Sequence, residues 1–303
     1  MKLPRDIQVI ERGWLSSNSV LLPAKAATVV DTGYGAHAAQ TVALIEHALE
    51  GSPLGHLVNT HCHSDHMGGN AAVQRRFRCR TSIPEGEAPL IDRWDDRELI
   101  LSAADQRAER FAYEGTFGNG DTLRMGEYDW RVLAAPGHDL HAVMFYSPET
   151  RVLISGDALW ENGFGAVFAR LFGRDTALAE ARETLERIAE LDCAVVIPGH
   201  GRPFGGVGAA LERAFSRLRG YEEDISRLAR HVVKVLFTFA MLEKRSMPLA
   251  GLPDYLERVA ILADINREYL KMAPAALAEW LVSDLERAGA LERQGGQLRA
   301  KGY

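Results

Sequence analysis

The chain has 303 residues, 47% hydrophobic and 25% charged, an ordinary globular composition with room for one large core plus a smaller appended unit. Its net charge of −6, with cations that are mostly Arg, excludes the global basic field of a general nucleic-acid binder. Three scattered cysteines, Cys62, Cys79 and Cys193, cannot build a disulfide framework and fit a reducing compartment.

Met1 to Asp6 are charged and lack the apolar run of a signal peptide, and no stretch reaches the roughly 18 apolar residues that span a bilayer. The expectation is a cytoplasmic protein without membrane contact. Short β-branched runs at Ile7 to Glu11, Ser19 to Leu22 and Ala27 to Val30 read as strands, broken by Asp31-Thr32-Gly33. Ala38 to Leu49 has helical periodicity, and His56 to Thr60 is a further strand leading into His61 to Asn70. Glu85 to Tyr113 is charged and interrupted, and is expected to be a helical insertion near any site. Strands return at Thr122 to Met125, Trp130 to Ala134, Ala142 to Tyr146 and Val152 to Ile154. A capped helix follows at Asp175 to Glu190, then a buried strand at Ala194 to Ile197.

The strand signals stop near the glycine-rich stretch Gly205 to Gly208, which predicts units at residues 1–208 and 209–303. Ala209 to Phe239 reads as one long helix or a helix pair. Pro274 to Ala288 is a helix with proline in its first turn, followed by a hairpin turning at Gly295-Gly296. A helix followed by a two-stranded wing is the ending of a winged-helix module.

The chemistry concentrates in His61-Cys62-His63-Ser64-Asp65-His66. Three imidazoles and a carboxylate so close together are the ligand types that Zn²⁺, Fe and Mn favour. Four such ligands do not easily share one ion; alternation lets His61 and His63 face one ion while Asp65 and His66 turn to a second. Further ligand types follow three strand signals: His138 in Pro136-Gly137-His138, Asp157 in Ser155-Gly156-Asp157, and His200 in Pro198-Gly199-His200. Strand-end loops are where a rigid sheet presents functional side chains.

The pattern His-x-His-x-Asp-His, then Gly-His, Gly-Asp and Gly-His, resembles the metal signature of the metallo-β-lactamase superfamily over residues 7 to 205. That resemblance implies an α/β fold, a four-layer αββα sandwich, here with a mainly helical, winged-helix-like C-terminal domain. It implies that His61, His63 and His138 hold one divalent metal, that Asp65, His66 and His200 hold a second, and that Asp157 bridges them. Zinc is the first expectation, with iron or manganese as alternatives. Asp31 falls where the superfamily has a supporting aspartate, which orients ligands. True zinc β-lactamases usually carry Cys where this chain has Asp157, and flavodiiron proteins carry Glu in place of His63. Many glyoxalase-II-like members read Pro-Gly-His-Thr-x-Gly-His, whereas this chain reads Pro136-Gly137-His138-Asp139-Leu140-His141-Ala142.

The expected chemistry is hydrolysis of a small ester, thioester or lactone by hydroxide formed from metal-bound water, with Asp65 as the catalytic residue that orients it. The alternatives are a metal-dependent endoribonuclease and a mononuclear iron dioxygenase acting on sulfur compounds. Residues 211–303 carry 15 Lys/Arg against 13 Asp/Glu, and the last helix has Glu279, Asp284 and Glu286 against Arg287, which disfavours contact with phosphates. The tail is therefore expected to shape the cleft or a homodimer interface. Leu159 to Gly165 is a candidate substrate wall, with core packing as the even alternative. Cys62 is expected to point away from the metals; His37, His47, His56 and His231 are expected at surface or core positions, and His141 is expected either to reach the site or to play a supporting role.

Overall fold

In the computed structural model, residues 3–301 are described; Met1, Lys2, Gly302 and Tyr303, the ends of the two expected units, lie outside the described residues. Strands β1 (Gln8–Ile10), β2 (Ser19–Leu22), β3 (Ala27–Val30), β4 (Leu54–Val58), β5 (Arg80–Pro84) and β6 (Gly115–Phe117) form one sheet in that order. Side-chain alternation sorts its two faces. Val20, Leu22, Val30 and Val58 point inward, toward the second sheet. Leu21, Val29 and Leu57 point outward, onto Ile45 and Leu49 of α1 (Ala38–Leu49) and onto Val73. Short helices α2 (Ser64–Met67), α3 (Asn70–Phe77, which carries Val73) and α4 (Ala88–Arg93) complete this half.

The second sheet runs β11-β10-β9-β8-β7, built from β7 (Thr122–Met125), β8 (Tyr128–Ala134), β9 (Val143–Ser147), β10 (Val152–Gly156) and β11 (Val195–Pro198). Trp130, Val132, Phe145, Ile154 and Ile197 meet the first sheet. The buried Trp130 indole N–H donates to Met125 O at 3.0 Å, so its polar edge is satisfied. The opposite face of this sheet, with Met144, Leu153 and Val196, packs on α5 (Phe168–Leu171) and α6 (Ala177–Ala189). Helix, sheet, sheet, helix is the expected four-layer order.

Helices α7 (Val207–Glu223) and α8 (Ile225–Lys244) are a pair, separated where the Asp224 side chain caps α8 by accepting from Ser226 N at 3.0 Å. Strand β12 (Ser246–Pro248), α9 (Leu252–Arg258) and α10 (Ala260–Ile265) follow. Then come α11 (Pro274–Arg287) and the hairpin β13 (Leu291–Gln294) and β14 (Gln297–Ala300), to which β12 adds as a third strand. One apolar cluster runs from Leu153 and Leu185 through Leu218 and Leu236 to Leu281, so the C-terminal helices share a core with the second sheet.

Three expectations need correction. The strand expected to reach Thr60 stops at Val58, because Asn59 and Thr60 turn to donate to Asp31. Asp175 does not cap α6: Thr176 holds the cap position and bonds Glu180 instead, while Asp175 pairs with Arg170. The insertion at 85–113 is helical only in α4 and a single turn at Ser102–Ala104. Asp95 and Asp96 accept from the backbone N–H groups of Glu98 and Ser102, a local alternative that competes with helix.

Candidate metal centre

Each predicted ligand residue leaves the C-terminal end of a strand or the loop beyond it. β4 delivers His61 and His63 in extended backbone, and the chain then winds at once into α2, which places Asp65 and His66 on a helical turn. Alternation thus ends at His63, and the second pair is aimed by helix geometry. β8 leads to His138, β10 to Asp157 and β11 to His200.

All seven residues converge. Ligand-type atoms of His61, His63 and His138 lie within 4.8 Å of one another, as do those of His61, His66 and Asp157, and those of Asp65, His66 and His200. His63 Nδ1 and His138 Nε2 face each other at 2.9 Å. Asp157 stands between the groups, Oδ2 at 3.4 Å from His138 Nε2 and Oδ1 at 3.3 Å from His66 Nε2. His200 Nε2 lies 3.0 Å from Asp65 Oδ2.

The far sides of the rings are held so that their other nitrogens point inward. His138 Nδ1 donates to Ala166 O at 2.7 Å, and His66 Nδ1 lies 2.8 Å from Asp31 Oδ2. His63 Nε2 faces Asp139 Oδ2 at 3.5 Å, a partner that sequence reasoning missed. Asp31 bears out its expected supporting place, since it also accepts from Thr60 N and Thr60 Oγ1. Buried imidazoles oriented by carbonyls and carboxylates are the arrangement that metal ligands need.

The donor set fits divalent ions. His61 Nε2 is buried without a hydrogen-bond partner, a costly state unless a cation accepts its lone pair. Burial, then the neighbouring His66, His63 and His138, hold His61 well below the usual imidazole range. Burial and His138 push His63 down to about 4. Burial alone would lower His66 too, but Asp157, Asp31 and Asp65 raise it well above its ordinary value. Burial would raise Asp157, yet His66 and His200 hold it well below the carboxylate range. Neutral His61 and His63, a His66 whose proton is held by the carboxylates around it, and ionised Asp65 and Asp157 thus surround a place that favours positive charge. Gly199 permits this crowding, since a Cβ there would collide with Asp157 Oδ1 and come within 2.8 Å of His66.

A sequence model described as the metallo-beta-lactamase superfamily matches residues 12–200, which contain all seven residues. The chain belongs to the metallo-β-lactamase superfamily. Among curated relatives, a hydroxyacylglutathione hydrolase of Rhodopseudomonas palustris is 29% identical over 167 residues, 55% of this chain and 56% of that one. A hydroxyacylglutathione hydrolase of Nitrobacter winogradskyi is 33% identical over 119 residues, 39% of each chain. A probable metallo-hydrolase of Bacillus subtilis is 32% identical over 51% of this chain and 49% of its own length. The chain thus spans about half the length, or less, of these relatives. Of solved structures, a metallo-beta-lactamase family protein of Thermus thermophilus superposes with TM-score 0.60 at 19% identity, covering 98% of this chain and 99% of that one. A beta-lactamase domain protein of Burkholderia ambifaria gives TM-score 0.56 at 23% identity, covering 99% and 94%. The likeness of fold therefore runs through the C-terminal helices.

In this metallo-β-lactamase fold the centre opens into a cavity of about 590 Å³. Its walls are mostly apolar: Ile100 of the insertion, Phe168 of α5, Leu236 and Phe239 of α8, and Leu285 of α11. Trp14, which sequence reasoning passed over, stacks on His200 at 5.5 Å and meets Trp160 edge-on at 5.4 Å. The expected aromatic wall is divided. Trp160 lines the cavity, whereas Phe164 is core, packed against Tyr221. Cys62 is buried with Met67 and Ile83, away from the centre as expected. His231, expected at a plain surface or core position, lines the cavity instead, because α8 turns that face toward the site. No helix among the described residues is long and apolar enough to cross a membrane.

Proposed function

We propose that this chain is a two-metal hydrolase of a small ester, thioester or lactone. His61, His63 and His138 hold one ion, Asp65, His66 and His200 hold the other, and Asp157 serves both. The observation that carries this reading is the chain of three ligand groups, the first two sharing His61 and the last two sharing His66, with Asp157 in the middle one. Divalent ions, zinc foremost, supply acidification of a water and Lewis-acid polarisation of an acyl carbonyl.

The protein's own groups do the rest. Asp65 and Asp157, both ionised, offer only acceptor oxygens, so a water between them presents its lone pair away from them and toward the substrate. Asp65 is held by His200 and orients that water. Trp14, Trp160, Phe168 and Phe239 exclude bulk solvent, which strengthens every charge interaction inside. The thioester hydrolases among the partial relatives support the acyl reading. The apolar cavity supports a small molecule over a polynucleotide: α11 contributes Leu285, and Ala288 just beyond it, to the lining, and the helix's charged residues are more acidic than basic. We further read residues 209–303 as a unit of winged-helix type that completes the cleft while sharing its core with the second sheet.

The test is metal analysis of the purified protein beside turnover of an ester, a thioester, a lactone and an RNA. Two ions per chain with acyl hydrolysis is the expected result. One tightly held ion per chain, or cleavage of RNA alone, overturns it.

A further inference from the structure

Five charged residues line the cavity beyond the metal centre: Glu161, Arg202, Arg217, Lys234 and Asp284. Four of them are accounted for. Lys234 pairs with Asp284 at 2.8 Å, and Arg287 meets the other oxygen of Asp284 at the same distance. Arg202 lies 3.5 Å from Glu11, and Glu161 is exposed at the rim. Arg217 is different. It is half-buried and has neither a hydrogen bond nor an ion pair among the described residues. A guanidinium that lines the cavity with no acidic partner has its donors available to an arriving anion.

Its surroundings are built to hold it in place. Arg213, Arg217 and Tyr221 occupy successive turns along one face of α7. Arg213 donates to Glu161 O at 2.8 and 2.6 Å, and Tyr221 packs on Phe164. Between them the Arg217 guanidinium lies against Gly163, where a Cβ would collide with it. This is the loop that leaves Asp157: Gly165 N donates to Asp157 O at 2.8 Å, and Trp160 Nε1 lies 3.3 Å from Asp157 Oδ1. From α8, His231 stacks on Tyr221 at 6.1 Å and lines the same cavity, its Nε2 buried without a partner. Burial, helped by Arg217 and Lys234, holds His231 down to about 4, so it is a neutral ring with one nitrogen to spare.

We propose that Arg217, with His231 beside it, forms an anion-binding corner that takes the carboxylate of a small acyl substrate whose scissile bond lies at the metal centre. This rests on the hydrolase reading above and narrows it to acyl compounds that carry a carboxylate away from the reacting carbonyl. One guanidinium fork and one neutral imidazole match a planar monoanion in both charge and shape, whereas a phosphate dianion would leave a negative charge uncompensated in apolar surroundings.

The test uses two ligands that cannot be hydrolysed, 6-oxoheptanoate and 2-heptanone, which share a methyl ketone and chain length and differ in the terminal carboxylate. Binding to the zinc-loaded protein is measured by calorimetry. The keto acid is expected to bind at least about tenfold more tightly than the ketone, the scale of a charged hydrogen-bonded contact. Arg217→Met is expected to erase that preference, and Arg217→Lys, which keeps the charge but loses the fork, to keep part of it. No preference in the native protein overturns the proposal, as does a full preference in Arg217→Met, because the carboxylate would then be held at the metals. Should Arg217→Met fail to fold, an undiminished preference in Arg217→Lys overturns it as well. Turnover plays no part in this measurement. A protein that hydrolyses no ester yet shows the preference loses the hydrolase reading and keeps the anion corner; one that hydrolyses esters without the preference loses only the corner.

Discussion

Asp31 Oδ2 lies 2.8 Å from Nδ1 of His66, and that contact turns His66 Nε2 toward Asp157. Asp31 achieves it with a left-handed backbone, φ 58°, a conformation that an aspartate adopts only where its surroundings hold it. Its carboxylate accepts from Asn59 Nδ2, Thr60 N and Thr60 Oγ1 and faces the imidazole. Asp31→Asn replaces one acceptor oxygen with a donor and should weaken metal binding by about 10–100-fold. Competition with a chelator measures this, and unchanged retention would remove Asp31 from the support of the centre.

Asp157→Ala should weaken retention of both ions together and drop acyl hydrolysis below about one tenth of the native rate, since even outlying ligand partners cost about 10–100-fold. Metal content and initial rates are the readouts. Loss of one ion with the other fully kept would contradict a shared carboxylate.

Gly199→Ala sets a methyl against Asp157 Oδ1 and His66. Reduced metal content is expected in a protein that still melts cooperatively, because the clash falls on the ligands and not on the core. Native metal occupancy in this variant would show that the loop relaxes without cost.

His231 makes stability depend on pH. Its folded value is about 4 against the ordinary 6.5, so the unfolded chain binds the extra proton between those values. The stability it contributes is complete above 6.5 and is lost as the pH falls toward 4. On that span the loss is on the order of 3 kcal/mol. Urea midpoints of the metal-free protein at pH 7 and 4.5, beside those of His231→Phe, isolate the effect. An equal acid sensitivity in both proteins would rule it out.

Trp14 is 55% exposed, yet it covers His200 face to face and meets Trp160. Trp14→Ala removes about 0.5–1.5 kcal/mol of ring contact. The expected result is a rise in KM of about 3–10-fold with the metals retained. A loss of metal in place of the KM effect would make Trp14 a cover for His200 and not a substrate wall.

Sequence alone determined what is local. The metal ligand types sit in short, densely patterned segments, and each follows a β-branched run whose alternation marks a strand, so the residues that converge at the centre and the sheet layers could be read from the sequence. Ser19–Leu22, Ala27–Val30 and Ala38–Leu49 formed with the expected ends. The family signature added the rest of the sandwich.

Tertiary structure decided whatever depends on partners distant in sequence. Nothing near Asp139 announces that it will face His63 across 3.5 Å, and an isolated Trp14 carries no periodicity to set it over His200. β5 and β6 have weak strand signals of their own and form because neighbouring strands offer them a ladder. Arg217 and His231 read as ordinary helix residues until α7 and α8 fold onto the loop after Asp157. The cavity exists only between elements drawn from along the whole chain, from Trp14 to Ala290, and its chemistry follows from which faces meet there, a matter of long-range packing that no local pattern encodes.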